Sequence, residues 1–193
     1  GFANPNPLSW VHLARGEAAF DRTQFIEDLM QTHGAPVRRI GKRYAYSNVG
    51  YVVLGELIAQ VSGQPYASDL QRHPIAPLGL AENEILAFDI TNSQTHARGT
   101  VKRFGWLNLV LGFMVDRKRL VEQGAGRWLM VRNHLVNGDA YGGLIGNARG
   151  LVRLMLALSS SDLLLSASSR RLLFEPVHAR GQPRSLGGFT GTL

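Results

Sequence analysis

The chain has 193 residues, 45% of them hydrophobic and 18% charged, a balance that excludes general disorder and suits one domain burying roughly 70% of the surface its unfolded chain exposes. Lys and Arg number 21 against 14 acids, a formal charge of +7; the excess reads as Arg scattered singly or in pairs such as Arg38 with Arg39, without the basic stripe or module that nucleic-acid binding requires. Cysteine is absent, which excludes disulfides and thiol catalysis and leaves the compartment open.

Residues 1–19 carry Pro5 and Pro7 and read as an irregular surface segment. A helix follows, with Phe20 at N′, Asp21 at the N-cap, Gln24 at N3 and Phe25 at N4, a capping-box-like pair combined with a hydrophobic staple. Phe25, Ile26, Leu29 and Met30 form its apolar face, and Gly34 with Pro36 ends it. The next helix starts at Ser47 or Asn48, either of which can accept a backbone N–H bond; it presents Val49, Val52, Val53, Leu57 and Val61 and stops at Gly63. Gly50 inside it costs about 1 kcal/mol relative to Ala, which predicts a close packing contact there. A short helix over 66–72 gives way to an extended connection imposed by Pro74 and Pro77.

Residues 81–100 read as strand or loop. Residues 101–136 hold enough Leu, Val, Met and Trp for one or two buried helices. The apolar, aromatic-rich run 104–114 spans eleven residues, short of the roughly 20 that cross a bilayer; it follows Lys102 and Arg103, a pattern open to membrane contact, but a core helix is the expected reading. A turn over 142–147 leads into a helix capped by Asn147, with Leu151, Leu154, Met155 and Leu158 facing inward. Ser166 caps a last helix through Phe174, halted by Pro176. Neither an internal repeat nor a linker divides the chain.

The chemistry concentrates at Tyr46-Ser47-Asn48, where a turn feeds the second helix. A phenol near pKa 10 must lose roughly three units, about 4 kcal/mol, to be mostly phenolate at pH 7, so ionising Tyr46 there demands nearby cations or a shared proton network. Lys42 and Arg43 are its closest cations in sequence. Asn48 can both donate and accept through its amide. Taken alone, the triplet reads better as structure, Tyr46 a half-buried turn aromatic beside Tyr44 and Asn48 a helix cap. His12, His33, His73, His96, His134 and His178 are dispersed, without the His-Glu-x-x-His spacing of a zinc site. There is no Gly-x-Ser-x-Gly elbow, and the glycines from Gly143 to Gly150 lack the Lys-Ser/Thr ending of a phosphate loop. Trp10, Trp106 and Trp128 either line an apolar groove or occupy separate core positions.

The order Gly41-Lys42-Arg43-Tyr44-Ala45-Tyr46-Ser47-Asn48-Val49-Gly50-Tyr51, followed by Ser62-Gly63-Gln64-Pro65-Tyr66 and Ile75-Ala76-Pro77-Leu78-Gly79-Leu80, resembles the class C β-lactamase-like serine hydrolases, which include penicillin-binding proteins and esterases. In that family the triplet is a Tyr-x-Asn active-site motif. The resemblance implies that Tyr46 is catalytic, deprotonating the serine nucleophile with a motif Lys and later moving a proton to the leaving group, and that Asn48 is substrate-binding, orienting the acyl-side group and that Lys. It implies an α+β fold of which this chain supplies mainly the helical region, with an incomplete antiparallel sheet.

Further matches extend along the chain. Residues 142–147 resemble the family's Gly-Gly-Leu-x-Ser-Thr-Ala-x-Asp-Leu segment, Gly1-Phe2 the tail of its Thr-Ser-Gly-Leu turn, and residues 186–189 the strand toward its Lys/His-x-Gly motif. Its Ser-x-x-Lys nucleophile motif has no counterpart, since no Ser here has Lys three residues later. The expectation is a partial β-lactamase-related domain over 1–193, the middle of a larger hydrolase whose acyl-enzyme chemistry acts on an ester, amide or β-lactam. Neither cofactor nor metal is implied. Self-association and an inactive isolated chain are expected, with a noncatalytic interaction or membrane-surface module as the alternative. A periplasmic or extracellular setting follows from the resemblance only.

Overall fold

Asp21 sets the start of the first helix, α1 (Arg22–His33), in the computed structural model, which describes residues 1–13, 18–37, 45–89, 97–177 and 184–185. Its carboxylate accepts the Gln24 N–H at 2.9 Å, and the Phe20 and Phe25 rings lie 5.7 Å apart as the staple requires. The Gln24 amide turns forward to Asp28, at 2.8 Å, instead of back to the cap. Expectations at Arg38, Arg39, Lys42, Arg43, Tyr44, His96, His178 and 186–189 lie outside the described residues.

Ser47 caps α2 (Asn48–Ser62) through Oγ, which accepts the Gly50 N–H at 3.1 Å, and Gly63 closes the helix at φ +70°, a left-handed conformation glycine adopts without a Cβ penalty. Val49 and Val52 are buried against Leu29 of α1, with Phe2, Trp10, Phe25, Ile26, Met30, Val53 and Tyr141 packed around them. The expected stripe is shortened, because this cluster engages α2 only as far as Val53: Leu57 is exposed, and Val61 is 81% exposed. Gly50 is not a close contact either, since a Cβ there would meet Ser47 at an ordinary 3.7 Å. Gly55 is the close contact, where a Cβ would stand 2.5 Å from Ala140 Cβ.

After α3 (Tyr66–Leu70) the chain stays helical, correcting the extended reading of Pro74 and Pro77. Residues Gln71–Ile75 form a π turn in which the Ala76 N–H reaches the Gln71 carbonyl, and Ala76–Leu78 tighten to a 3-10 turn ended by Gly79 at φ +56°. The wider turn tolerates the N–H that Pro74 lacks. Ile75 and Leu78 thereby enter a second core with Leu86 and Ala157.

β1 (Val11–Leu13), β2 (Leu86–Ala87) and β3 (Thr100–Lys102) precede α4 (Trp106–Met114) and α5 (Arg117–Leu120); β4 (Val121–Gln123), β5 (Trp128–Val131) and β6 (His134–Val136) follow, then β7 (Ile145–Gly146), α6 (Ala148–Ser160), α7 (Ala167–Phe174), β8 (Pro176–Val177) and β9 (Arg184–Ser185). Among the described residues the pairings are antiparallel: β1 with β6, β2 with β7, β8 with β9, and β3-β5-β4 in a three-stranded sheet. The expected α+β class holds, with small sheets among helices. Residues 101–136 correct the sequence reading of one or two buried helices. Gly124 and Gly126 belong to a β4–β5 hairpin, where Gly126 takes φ +59° and a Cβ on Gly124 would lie 2.7 Å from the Trp128 carbonyl oxygen. The one substantial helix of that stretch, α4, is no core helix, for Trp106 is 79% and Phe113 86% exposed.

Asn147 caps α6 as its position predicts, accepting from Gly150 N at 2.9 Å and Ile85 N at 3.2 Å. Leu154 and Ala157 turn inward, whereas Leu151 is exposed. Ser166 caps α7, which ends at Phe174 as Glu175, preceding Pro176, turns extended.

Two outcomes follow for stability in urea. Gly55→Ala destabilises the chain by roughly 1–3 kcal/mol through overpacking against Ala140, while Gly50→Ala raises stability by about 0.5–1 kcal/mol through helix propensity; equal effects at both positions would contradict this packing. Tyr141, whose hydroxyl donates to the Trp10 carbonyl at 3.2 Å, has its pKa pushed up by burial to about 12. Its folded pKa exceeds the ordinary 10.0, so its contribution is complete below pH 10 and lost as pH rises through about 12. Tyr141→Phe costs about 1 kcal/mol near neutral pH and removes that part of the alkaline loss, as urea midpoints at the two pH extremes will read.

Candidate active site

Tyr46 occupies the residue before the α2 cap and is 46% exposed, its ring tilted by 40° to that of Tyr51 at 5.5 Å. Ser47 is extended at φ −146°, ψ 116°, so the chain straightens before winding into α2. Asn48, the first helical residue, is buried, and its N–H donates to Asn4 Oδ1 at 2.9 Å. The triplet thus divides its labour: an exposed phenol, a capping hydroxyl and a buried amide.

Ser47 Oγ is fully engaged, donating to the Ala3 carbonyl at 2.7 Å while accepting from Gly50. Its hydroxyl proton is directed at a backbone acceptor, which suits a structural pin and not a nucleophile. Lys42 and Arg43 lie outside the described residues.

Sequence reasoning missed a second polar grouping. Arg22 Nε and Nη2 donate to Glu56 Oε1 at 3.1 and 2.5 Å, and Nη1 donates to Asp139 Oδ2 at 2.8 Å, tying α1, α2 and the Asp139–Tyr141 turn together. Burial lowers the Arg22 pKa, but the bonds and charges of Glu56 and Asp139 outweigh it and the net shift is upward. A cavity of about 190 Å³ opens beside this network, with His12, Phe20, Arg22 and Asp139 in its wall. His12 stacks on Phe20 at 4.5 Å and meets Asn137 Oδ1 through Nδ1 at 2.7 Å. Tyr66 has its pKa raised by burial first and by Asp139 and Asp69 next, so it stays a neutral phenol. Arg22 and its partners are separated by 34 and 117 residues, and no local spacing signals such a meeting.

Among the described residues no group of three His, Asp or Glu side chains could hold a metal ion. Trp10 is a core residue, edge-on to Phe25 and Tyr141, whereas Trp106 and Trp128 are exposed, so neither a shared groove nor three core positions describes the tryptophans.

The sequence model of the Beta-lactamase family matches residues 11–191. No curated protein sequence matches the chain. Among solved structures, it is similar to the D-amino acid amidase from Ochrobactrum anthropi SV3 complexed with D-phenylalanine, with a TM-score of 0.60 at 18% identity over 83% of this chain and 43% of that one. It is also similar to the octameric penicillin-binding protein homologue from Pyrococcus abyssi, at TM-score 0.57 and 21% identity over 80% of this chain and 30% of that one. A penicillin-binding protein from Bacillus halodurans gives TM-score 0.55 and 19% identity over 81% and 43%. The chain therefore spans less than half the length of these structures. It has the serine-hydrolase-type fold they share, and with the match extending over nearly its whole length, the chain belongs to the β-lactamase family.

Proposed function

We propose that the complete protein is a serine hydrolase acting through an acyl-enzyme on an ester, amide or β-lactam, with Tyr46 as the base and Asn48 as a substrate-orienting residue. The observation that carries this reading is the division within the triplet: Tyr46 is exposed at the head of α2, while the adjacent Ser47 hydroxyl is committed to Ala3 and Gly50. In the proposed reaction Tyr46 as phenolate takes the proton of a serine hydroxyl, whose oxygen attacks the substrate carbonyl. Collapse of the tetrahedral species breaks the bond to the leaving group, which takes the proton from Tyr46. Water then repeats the sequence, with its proton passing through Tyr46 back to the serine as the acid product departs.

An amide is a reasonable first substrate class, since one similar structure is a D-amino acid amidase. The nucleophile and its lysine are proposed to come from protein beyond these 193 residues, because the sequence contains no Ser-x-x-Lys. The octameric homologue supports self-association of that complete protein as part of the proposal.

The 193-residue chain alone will take up no fluorophosphonate label and hydrolyse no ester or β-lactam, as gel fluorescence and a chromogenic assay will show. In the full protein, labelling appears, and Tyr46→Phe lowers kcat by about 10²–10⁴, the range of general acid–base contributions, with its circular dichroism unchanged. Stoichiometric labelling of the short chain that disappears in Ser47→Ala would sink the assignment; a full protein that never labels would favour a noncatalytic module.

A further inference from the structure

α4 is turned inside out. Its polar residue Asn108 is buried, with Nδ2 donating to the Arg103 carbonyl at 2.5 Å, while Trp106, Leu109, Phe113 and Met114 face solvent beside Phe104, which is 90% exposed. Single exposed apolar residues are ordinary, but a contiguous aromatic and aliphatic group marks an interaction site.

Charge gathers around the same helix. Residues 97–132 contain eight Lys or Arg against two acids, an excess of six out of the +7 of the whole chain, so the basic surface is concentrated and not diffuse as the composition implied. Lys102 and Arg103 precede α4; Arg117, Lys118 and Arg119 follow it. The Arg117 side chain lies back over the helix, its Cδ 3.1 Å from where a Cβ on Gly112 would stand. Arg117, Lys118 and Arg132 line an open cavity of about 590 Å³, whose one acid, Glu122, already pairs with Arg98 and Arg132. Among the described residues Arg117 and Lys118 make no ion pair.

We propose that α4 and its basic flanks dock this protein on an anionic phospholipid surface, with the aromatic face entering the interface and Arg117 and Lys118 meeting headgroup phosphates. Trp and Phe on one face with Lys and Arg at the boundary are the physical requirements of a helix lying in the membrane plane. Crossing is excluded for α4, whose nine residues extend only about 13.5 Å, and no described helix is long and apolar enough to span a bilayer. A second copy is the poorer occupant, because a two-fold contact through α4 sets each basic cluster against its own image. A lipid phosphate layer complements both the charge and the apolar face.

Sedimentation of the 193-residue chain with vesicles tests this, using phosphatidylcholine alone and phosphatidylcholine mixed with phosphatidylglycerol. The chain will sediment with the anionic vesicles, release as salt rises, and show a blue-shifted tryptophan emission as Trp106 leaves water. Arg117→Gln and Lys118→Gln each weaken binding about fivefold, together roughly 25-fold. Trp106→Ser with Phe113→Ser abolishes it while circular dichroism is retained, both side chains being exposed. Absence of binding at low salt overturns the proposal, as does binding indifferent to these four positions. A concentration-dependent oligomer in sedimentation velocity, dispersed by Trp106→Ser with Phe113→Ser, overturns it in favour of a contact between copies.

Discussion

Much of the molecule depends on a close approach between α2 and the turn over Asp139–Tyr141. Gly55 on the helix and Gly138 before the turn each leave space where a Cβ would crowd Ala140 at 2.5 Å or Val52 Cγ2 at 2.9 Å. Gly138 also needs the left-handed φ of +80° that other residues avoid. This contact brings Asp139 and Glu56 to opposite sides of the Arg22 guanidinium, and it brings the Tyr141 hydroxyl to the Trp10 carbonyl. One removal of side-chain bulk therefore secures an ion network, an aromatic cluster and the axis of the helix whose first turn carries Asn48. Tyr46 immediately precedes the Ser47 cap, and its ring meets that of Tyr51 on the first turn of the helix.

Four helix starts were legible in the sequence through a local cap. Asp21, Ser47, Asn147 and Ser166 each accept a backbone N–H three residues ahead, so the information lies within four consecutive positions. Where the deciding contacts are distant, the sequence was silent. Nothing near Gly50 or Gly55 says which of them meets Ala140, and the Arg22 network joins three separate elements. The run 101–136 misled because short paired strands and a buried helix draw on the same Leu, Val, Met and Trp; the hairpin turn at Gly124 and Gly126 was the available counter-signal. Pro74 misled for a different reason, since its cost in an α-helix is evaded by a π turn. Of the candidate site, Tyr46 and Asn48 are proposed on family resemblance, while the bond from Ser47 to Ala3 crosses 44 residues and leaves no trace in local spacing.

Two polar regions of the molecule are organised differently. Around Arg22 the cation is matched by two carboxylates and partly withdrawn from solvent. Around α5 the cations outnumber their acids, and the Arg98 hydrogen bond holds the Glu122 carboxyl below the usual carboxylate range. The first arrangement spends its charge internally and favours a fixed core; the second leaves a field directed outward. Such a separation lets surface charge vary without disturbing the network that anchors α2.

The pairing of β1 with β6 carries a consequence for the order in which the chain acquires its structure. Val11 faces Val136 and Leu13 faces His134, and His12 meets Asn137 across 125 residues. During synthesis the β1 amides have no native strand partner until residues 134–136 have left the ribosome, by which time the capped helices α1 and α2 are already complete. Closing so long a loop is entropically costly only in proportion to the logarithm of its length, but it is slow to find and contributes strongly to contact order. Among the described strands β1 thus waits across the longest stretch of chain for its partner, and in the interval its edge is open to the neighbouring nascent chains of a polysome.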